Sequence, residues 1–214
     1  MKLILGFVAM ALALSLCNLT KRLGGSSETT NSNSGSGPSS SSRSNGADAA
    51  ERPQPTAAQM AALEGGQTIS WDKQGISWTV PPKWSKLSDE TTIFNWKSPG
   101  TWDAAFLIAN ISAMSDDFPT ETSLKAFYDG AKTRSKNGEV DELRWLELDG
   151  VKGVQFRESA PEKQDDPRRL QWITYRKYAG QTQMVNLILS TRGQDFARHQ
   201  DTLYAILYST KLVH

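Results

Sequence analysis

The stretch 170–191, LQWITYRKYAGQTQMVNLILST, reads as a β-hairpin. Its first arm is dense in aromatic and β-branched side chains, among them Trp172, Ile173, Thr174, Tyr175 and Tyr178. Ala179-Gly180 makes the turn, and residues 183–189 run back. Two such arms joined by a short glycine-containing link are a strong local hairpin signal. The return arm is apolar on both alternation phases, with Val185, Leu187 and Leu189 on one and Met184 and Ile188 on the other. A strand of that kind is covered on both faces, which places it in the middle of a sheet.

Working outward, strands are expected at 140–148 and 151–158, joined by the turn pair Asp149-Gly150, just before a charged loop over 160–167. Further strands are expected at 68–71, 76–80, 91–96 and 104–114. Pro81-Pro82 stops the second of these, and Ser98-Pro99-Gly100 turns between the last two. Leu124, Phe127, Tyr128 and Ala131 fall at i, i+3, i+4 and i+7, which predicts a helix over 121–137. Thr120 or Thr122 is its expected cap, and Gly138 its end. Burial of Leu124 and Phe127 is expected to contribute roughly 1.5–3 kcal/mol each. A second helix is expected over 195–210, capped by Asp195, with Phe196, Leu203, Ile206 and Leu207 facing inward. A shorter one is expected over 56–63, capped by Thr56. About seven strands with short links and two long amphipathic helices predict an α+β fold: a largely antiparallel sheet with helices packed on it.

The front of the chain is different in kind. Residues 3–16 are a nearly unbroken apolar run, about 21 Å long as a helix at 1.5 Å per residue. That is short of a hydrocarbon core of about 30 Å and suits the apolar region of a signal peptide. Cys17 at its end resembles a bacterial lipoprotein signal, which makes Cys17 the expected lipid attachment point. The pattern departs from that family at Leu16, where a small residue is usual, and in Lys21 and Arg22, which resist translocation. Simple cleavage and a retained anchor are the other two outcomes. Residues 23–55 are Ser, Gly, Asn and Thr with scattered charges, too poor in apolar surface to repay ordering. As a coil, about 33 residues span on the order of 30 Å, a tether. The expected division is a signal or anchor over 1–22, a tether with a short helix over 23–66, and one globular domain over 67–214.

The layout of that domain resembles the PsbP-like family. A Trp-containing strand ends in proline (ISWTVPPKW, 76–84), a strand pair and a helix follow, then a four-strand meander and a terminal helix closing on Ile206-Leu207-Tyr208-Ser209-Thr210. The resemblance implies an α/β/α sandwich, seen in a photosystem extrinsic subunit, a nuclear-import factor and many bacterial envelope lipoproteins. It also implies binding or assistance to larger assemblies, and it carries over no functional residue.

Composition narrows the function further. Residues 68–214 hold nineteen Lys and Arg against nineteen Asp and Glu, a balance without the basic face that nucleic acid requires. Cys17 is the only cysteine, and the histidines are His199 and His214. No disulfide framework, thiolate metal cluster or active-site thiol is therefore expected in the domain, and no cofactor or metal. Phosphate-loop, zinc-protease, nucleophile-elbow and EF-hand motifs are missing from the sequence. His199 reads as a boundary residue of a helix. Asp116-Asp117 and Asp165-Asp166 read as solvated loop charge, although paired acids can also do acid/base work or hold calcium.

Seven tryptophans are the remaining signal. Alternation sends most of them to the core. Trp96 and Trp102, flanking the Ser98-Pro99-Gly100 turn, are the two expected at the surface, where an aromatic face can anchor a protein or stack on a glycan. The function expected is a membrane-tethered, non-enzymatic binding or accessory module of the bacterial cell envelope. Its partners are the membrane, through the N-terminal segment, and an envelope protein or glycan. The alternatives are a hydrolase using loop carboxylates and a purely structural envelope component.

Overall fold

The computed structural model describes residues 49–213. The expected signal segment over 1–22, lipid attachment at Cys17 and most of the tether lie outside the described residues.

The 170–191 hairpin is the centre of the molecule. Strands β8 (Pro167–Tyr178) and β9 (Gln181–Arg192) pair without a break from Pro167↔Arg192 to Tyr178↔Gln181. Ala179 and Gly180 both take positive φ, 49° and 82°, the backbone that lets a two-residue turn match the twist of its strands. Around this hairpin stand β3 (Ser85–Asp89), β4 (Ile93–Lys97), β5 (Phe106–Ala113), β6 (Val140–Leu148) and β7 (Val151–Glu158). The seven strands form one antiparallel sheet in the order β3-β4-β5-β9-β8-β7-β6, with β9 fourth of seven.

The first two expected strands, β1 (Gln67–Trp71) and β2 (Ile76–Val80), are present but belong elsewhere. With the two-residue β10 (Lys211–Leu212) they make a separate three-stranded sheet, β1-β2-β10. The seventh strand of the large sheet is instead β3, whose polar sequence SKLSD carries no strand pattern.

Three helices accompany the sheets among the described residues: α1 (Ala57–Ala62), α2 (Thr120–Lys136) and α3 (Phe196–Tyr208). The small sheet and α3 cover one face of the large sheet, and α1 packs on α3. That face buries the main core, in which Trp71 and Trp78 stack on Phe94 at 5.5 and 5.4 Å. Trp172 fills the space over Gly153 and donates from Nε1 to Leu146 O at 3.1 Å. The other face is covered by α2 over β6, β7 and β8, around Leu124, Val154, Phe156 and Ile173.

Helix details depart from expectation in three places. Pro119 is the N-cap of α2 and no side chain caps it, so neither Thr120 nor Thr122 plays that part. Phe127 is 37 % exposed, so of the expected stripe it is Leu124, Tyr128 and Ala131 that pack. Asp195 precedes α3 but makes no capping bond, because its carboxylate is held by Arg192 and Arg198. Thr56 does cap α1, in a reciprocal box with Gln59.

The described chain is packed from its beginning. Glu51 pairs in parallel with the edge strand β6, donating to Trp145 O at 3.0 Å and accepting from Glu147 N at 2.8 Å. Among the described residues no helix is long and apolar enough to cross a membrane.

Candidate functional site

The β4–β5 loop is pinned at its base. The Ser98 and Ala105 backbones bond at 2.8 Å, and the buried Ser98 Oγ also accepts from Ala105 N at 2.8 Å. Everything between is pushed outward. Trp102, at the tip, is 80 % exposed, the most exposed large apolar side chain among the described residues. Arg198 of α3 holds the neighbouring Asp103 at 3.2 Å, which fixes the loop without covering the indole.

Trp102 lines a cleft of about 210 Å³ together with Phe106, Asp165, Pro167, Ser190 and Arg192. Arg192 and Gln194 both donate to Asp165, at 3.3 and 2.8 Å, so one wall is polar and ordered. The cleft opens onto the half of the sheet that α2 leaves uncovered. There Ile108 and Ile188 stand directly opposite one another, beside Phe106 and Ile93, and Gln171 donates to Asn186 at 2.8 Å. Apolar groups interleaved with neutral amides, next to an exposed indole, make a surface suited to a macromolecular partner.

Of the two tryptophans expected at the surface, only Trp102 is there. Trp96 shares its alternation phase with Phe94, so it turns to the inner face, half-buried 6.2 Å from the Phe94 ring. The loop carboxylates Asp116 and Asp117 are exposed between β5 and α2, and Asp165 and Asp166 between β7 and β8. His199 is half-buried on α3, with Nε2 enclosed and without a hydrogen-bond partner among the described residues. No cluster of three metal-ligating side chains occurs among the described residues.

The acids that the fold does bring together are Asp141 and Glu142 of β6, which sequence reasoning missed. Asp141 pairs with Arg157 at 2.6 Å and with Arg168. Glu142 takes the Tyr204 hydroxyl, the Gln155 amide at 3.1 Å and Arg157 at 3.3 Å, while Arg144 donates to Tyr208. Burial first, and then the neighbouring Glu142, holds the Tyr204 hydroxyl protonated far above its usual range, and burial also raises Tyr208, against the opposing pull of Arg144. Burial works against the charge of Arg144, but Tyr208 and Glu142 outweigh it and raise its pKa. Every acid here is already matched by a guanidinium or a hydroxyl. The network fastens α3 to β6 and β7.

No family model matches the chain, and neither does any curated protein. Solved structures do. The crystal structure of LpqN, involved in cell envelope biogenesis of Mycobacterium tuberculosis, matches with a TM-score of 0.50 and 14 % identity, covering 70 % of this chain and 86 % of that one. The solution structure of cyanobacterial PsbP (CyanoP) from Synechocystis sp. PCC 6803 matches with a TM-score of 0.46 and 14 % identity, over 69 % and 92 %. At such identities the likeness is one of fold. The chain shares its α+β fold with LpqN.

Proposed function

We propose that this protein is a non-enzymatic binding module of the cell envelope that engages a partner protein through Trp102 and the helix-free half of its sheet. The observation that carries this reading is the indole itself: a large apolar side chain held in the open on a braced loop. Exposing it forgoes roughly 1.5–3 kcal/mol that burial would return, and exposed aromatics next to ordered polar groups are the usual anchors of interfaces. The strip through Phe106, Ile108 and Ile188 extends well beyond one sugar ring, which favours a protein over a glycan. Lipid attachment at Cys17 would hold the domain at a membrane surface. The described involvement of LpqN in envelope biogenesis is compatible with that location.

The test is a photo-crosslinking residue in place of Trp102 in the full chain, in its own cells. One discrete protein adduct is expected. It should be absent when the same probe replaces Lys132, exposed on α2. No adduct at position 102, or the same adduct at both positions, overturns the reading.

A further inference from the structure

Four rows of residues, each standing directly opposite its neighbours, cross the helix-free half of the large sheet. Lys97, Phe106 and Ser190 form the first, and Trp102 shares a cleft with the last two. Asn95, Ile108 and Ile188 form the second, and Ile93, Asn110 and Asn186 the third. Ser112 and Met184 form the fourth. The two middle rows hold three asparagines and three isoleucines, so the centre of the strip carries no charge.

The strip has walls. Ser123 of α2 meets the Tyr175 hydroxyl on β8, and Phe127, one turn further on, stands on that same flank of the helix with its ring partly exposed. The Trp102 loop rises at one end. Three of the six exposed large apolar side chains among the described residues, Ile93, Trp102 and Phe127, therefore border this one strip.

Its dimensions select the shape of an occupant. Three strands about 4.8 Å apart make a floor about 14 Å wide, and the run from Phe106 to Ser112 makes it about 20 Å long. An α-helix with its side chains is about 10–12 Å across, and about 13 residues of it cover 20 Å. A second copy of this chain laid flat on the strip would bury on the order of 600 Å² in all, about half of what a stable interface needs. The α2 wall and the Trp102 loop would also hold two flat sheets apart. A cylinder fits between them.

The two ends of the strip differ in charge. Asp116 and Asp117, just beyond Ser112, are exposed and enter no ion pair among the described residues, and Lys97 in the first row also has none. A helix carries partial positive charge at its start and negative charge at its end, so the aspartates suit the start and Lys97 the end. The α2 helix runs the same way, from Thr120 beside those aspartates to Arg134, 3.6 Å from Glu158 at the far end of β7.

Building on the reading of Trp102 as an anchor for a partner protein, we infer that the occupant is an amphipathic helix of that partner. It lies along β9, β5 and β4 parallel to α2, starting at Asp116-Asp117 and ending under Trp102. Its inward stripe is apolar and uncharged. Side chains at i, i+3, i+4 and i+7 fill the spaces among Phe106, Ile108, Ile188 and Phe127, and neutral polar groups meet Asn110 and Asn186.

The experiment places a photo-crosslinking residue at Ser112, and separately at Lys97, in the full chain in its own cells. Fragment mass spectrometry of each adduct then identifies the labelled partner residue. The two positions are about 20 Å apart along the strands, which corresponds to about 13 residues of a helix but about six of a strand. Labels about 13 residues apart in one partner segment are expected, with the Ser112 probe marking the earlier residue. Labels about six apart, labels in reverse order, labels on a second copy of this chain, or an adduct at position 102 with none at 97 and 112 overturn the helix while leaving Trp102 as an anchor. No adduct at any of the three positions overturns both readings. Asn110→Asp puts a charge on the floor and should lower both yields about tenfold with unchanged circular dichroism, whereas Asn110→Ser should preserve them. Undiminished yields in Asn110→Asp overturn the uncharged stripe.

Discussion

Leu187 and Ile188 are neighbours on β9, yet they belong to two different kinds of surface. Leu187 points into the face closed by α3 and the small sheet, where Trp71, Trp78, Trp172 and Phe94 are fully buried. Ile188 points to the other face, in the half that α2 does not reach, and is only half-buried opposite Ile108. The closed face is where folding free energy is concentrated. The helix-free half keeps apolar groups that the fold does not finish covering, and Trp102 overhangs it.

The largest expected effect breaks the closed face. Leu187→Asp places an unpaired charge in the main core, and the domain should fail to fold. A cooperative thermal transition within about 2 °C of wild type would contradict the placement of β9. Gly153→Ala comes next. A Cβ there would stand 2.4 Å from Trp172 Nε1 and 2.7 Å from Ile173 O, and the backbone oxygen cannot step aside. We expect a loss of about 3 kcal/mol in denaturant unfolding, at the upper end of overpacking costs.

The Asp141–Glu142 network gives a pH signature. The Tyr204 and Tyr208 hydroxyls have folded-state pKa values raised above the ordinary 10.0, so the unfolded chain loses these protons first. Their contribution is therefore whole below about pH 10 and is lost as the pH rises beyond it. Tyr204→Phe should flatten that alkaline decline while costing about 1–2 kcal/mol at neutral pH, since Glu142 loses a donor. A decline equally steep in the variant would remove Tyr204 from the network. Ile188→Ser, on the open half, should cost only about 1 kcal/mol. A cost near that of Leu187→Asp would erase the distinction between the faces.

Legibility in the sequence follows the same division between local and long-range physics. The β8–β9 hairpin is legible because its turn and its alternation are local, and the Asp149-Gly150 turn is legible for the same reason. The strand β3 is not, since SKLSD is held by pairing with β4 and not by its own pattern. Nor is the removal of β1 and β2 to a second sheet, which depends on Lys211 and Leu212 arriving from the far end of the chain. At the candidate site, Trp102 follows from its turn, whereas Trp96 depends on which phase of β4 faces inward. Asp165, Arg192 and Phe106 come to that cleft from three strands or loops, and no spacing in the sequence announces them. Asp141 and Glu142 gather partners from β6, β7, β8 and α3, again beyond any local pattern.

The central claim is that Trp102 belongs to binding and its buried counterparts to folding, and calorimetry of Trp102→Ala beside Trp78→Ala tests it most directly. Trp78 stacks on Phe94 at full burial, so its loss should cost about 3–5 kcal/mol. Trp102→Ala should melt within about 2 °C of the unmodified chain. A loss above about 3 kcal/mol for Trp102→Ala would assign that indole to the fold and leave the proposed binding face without its anchor.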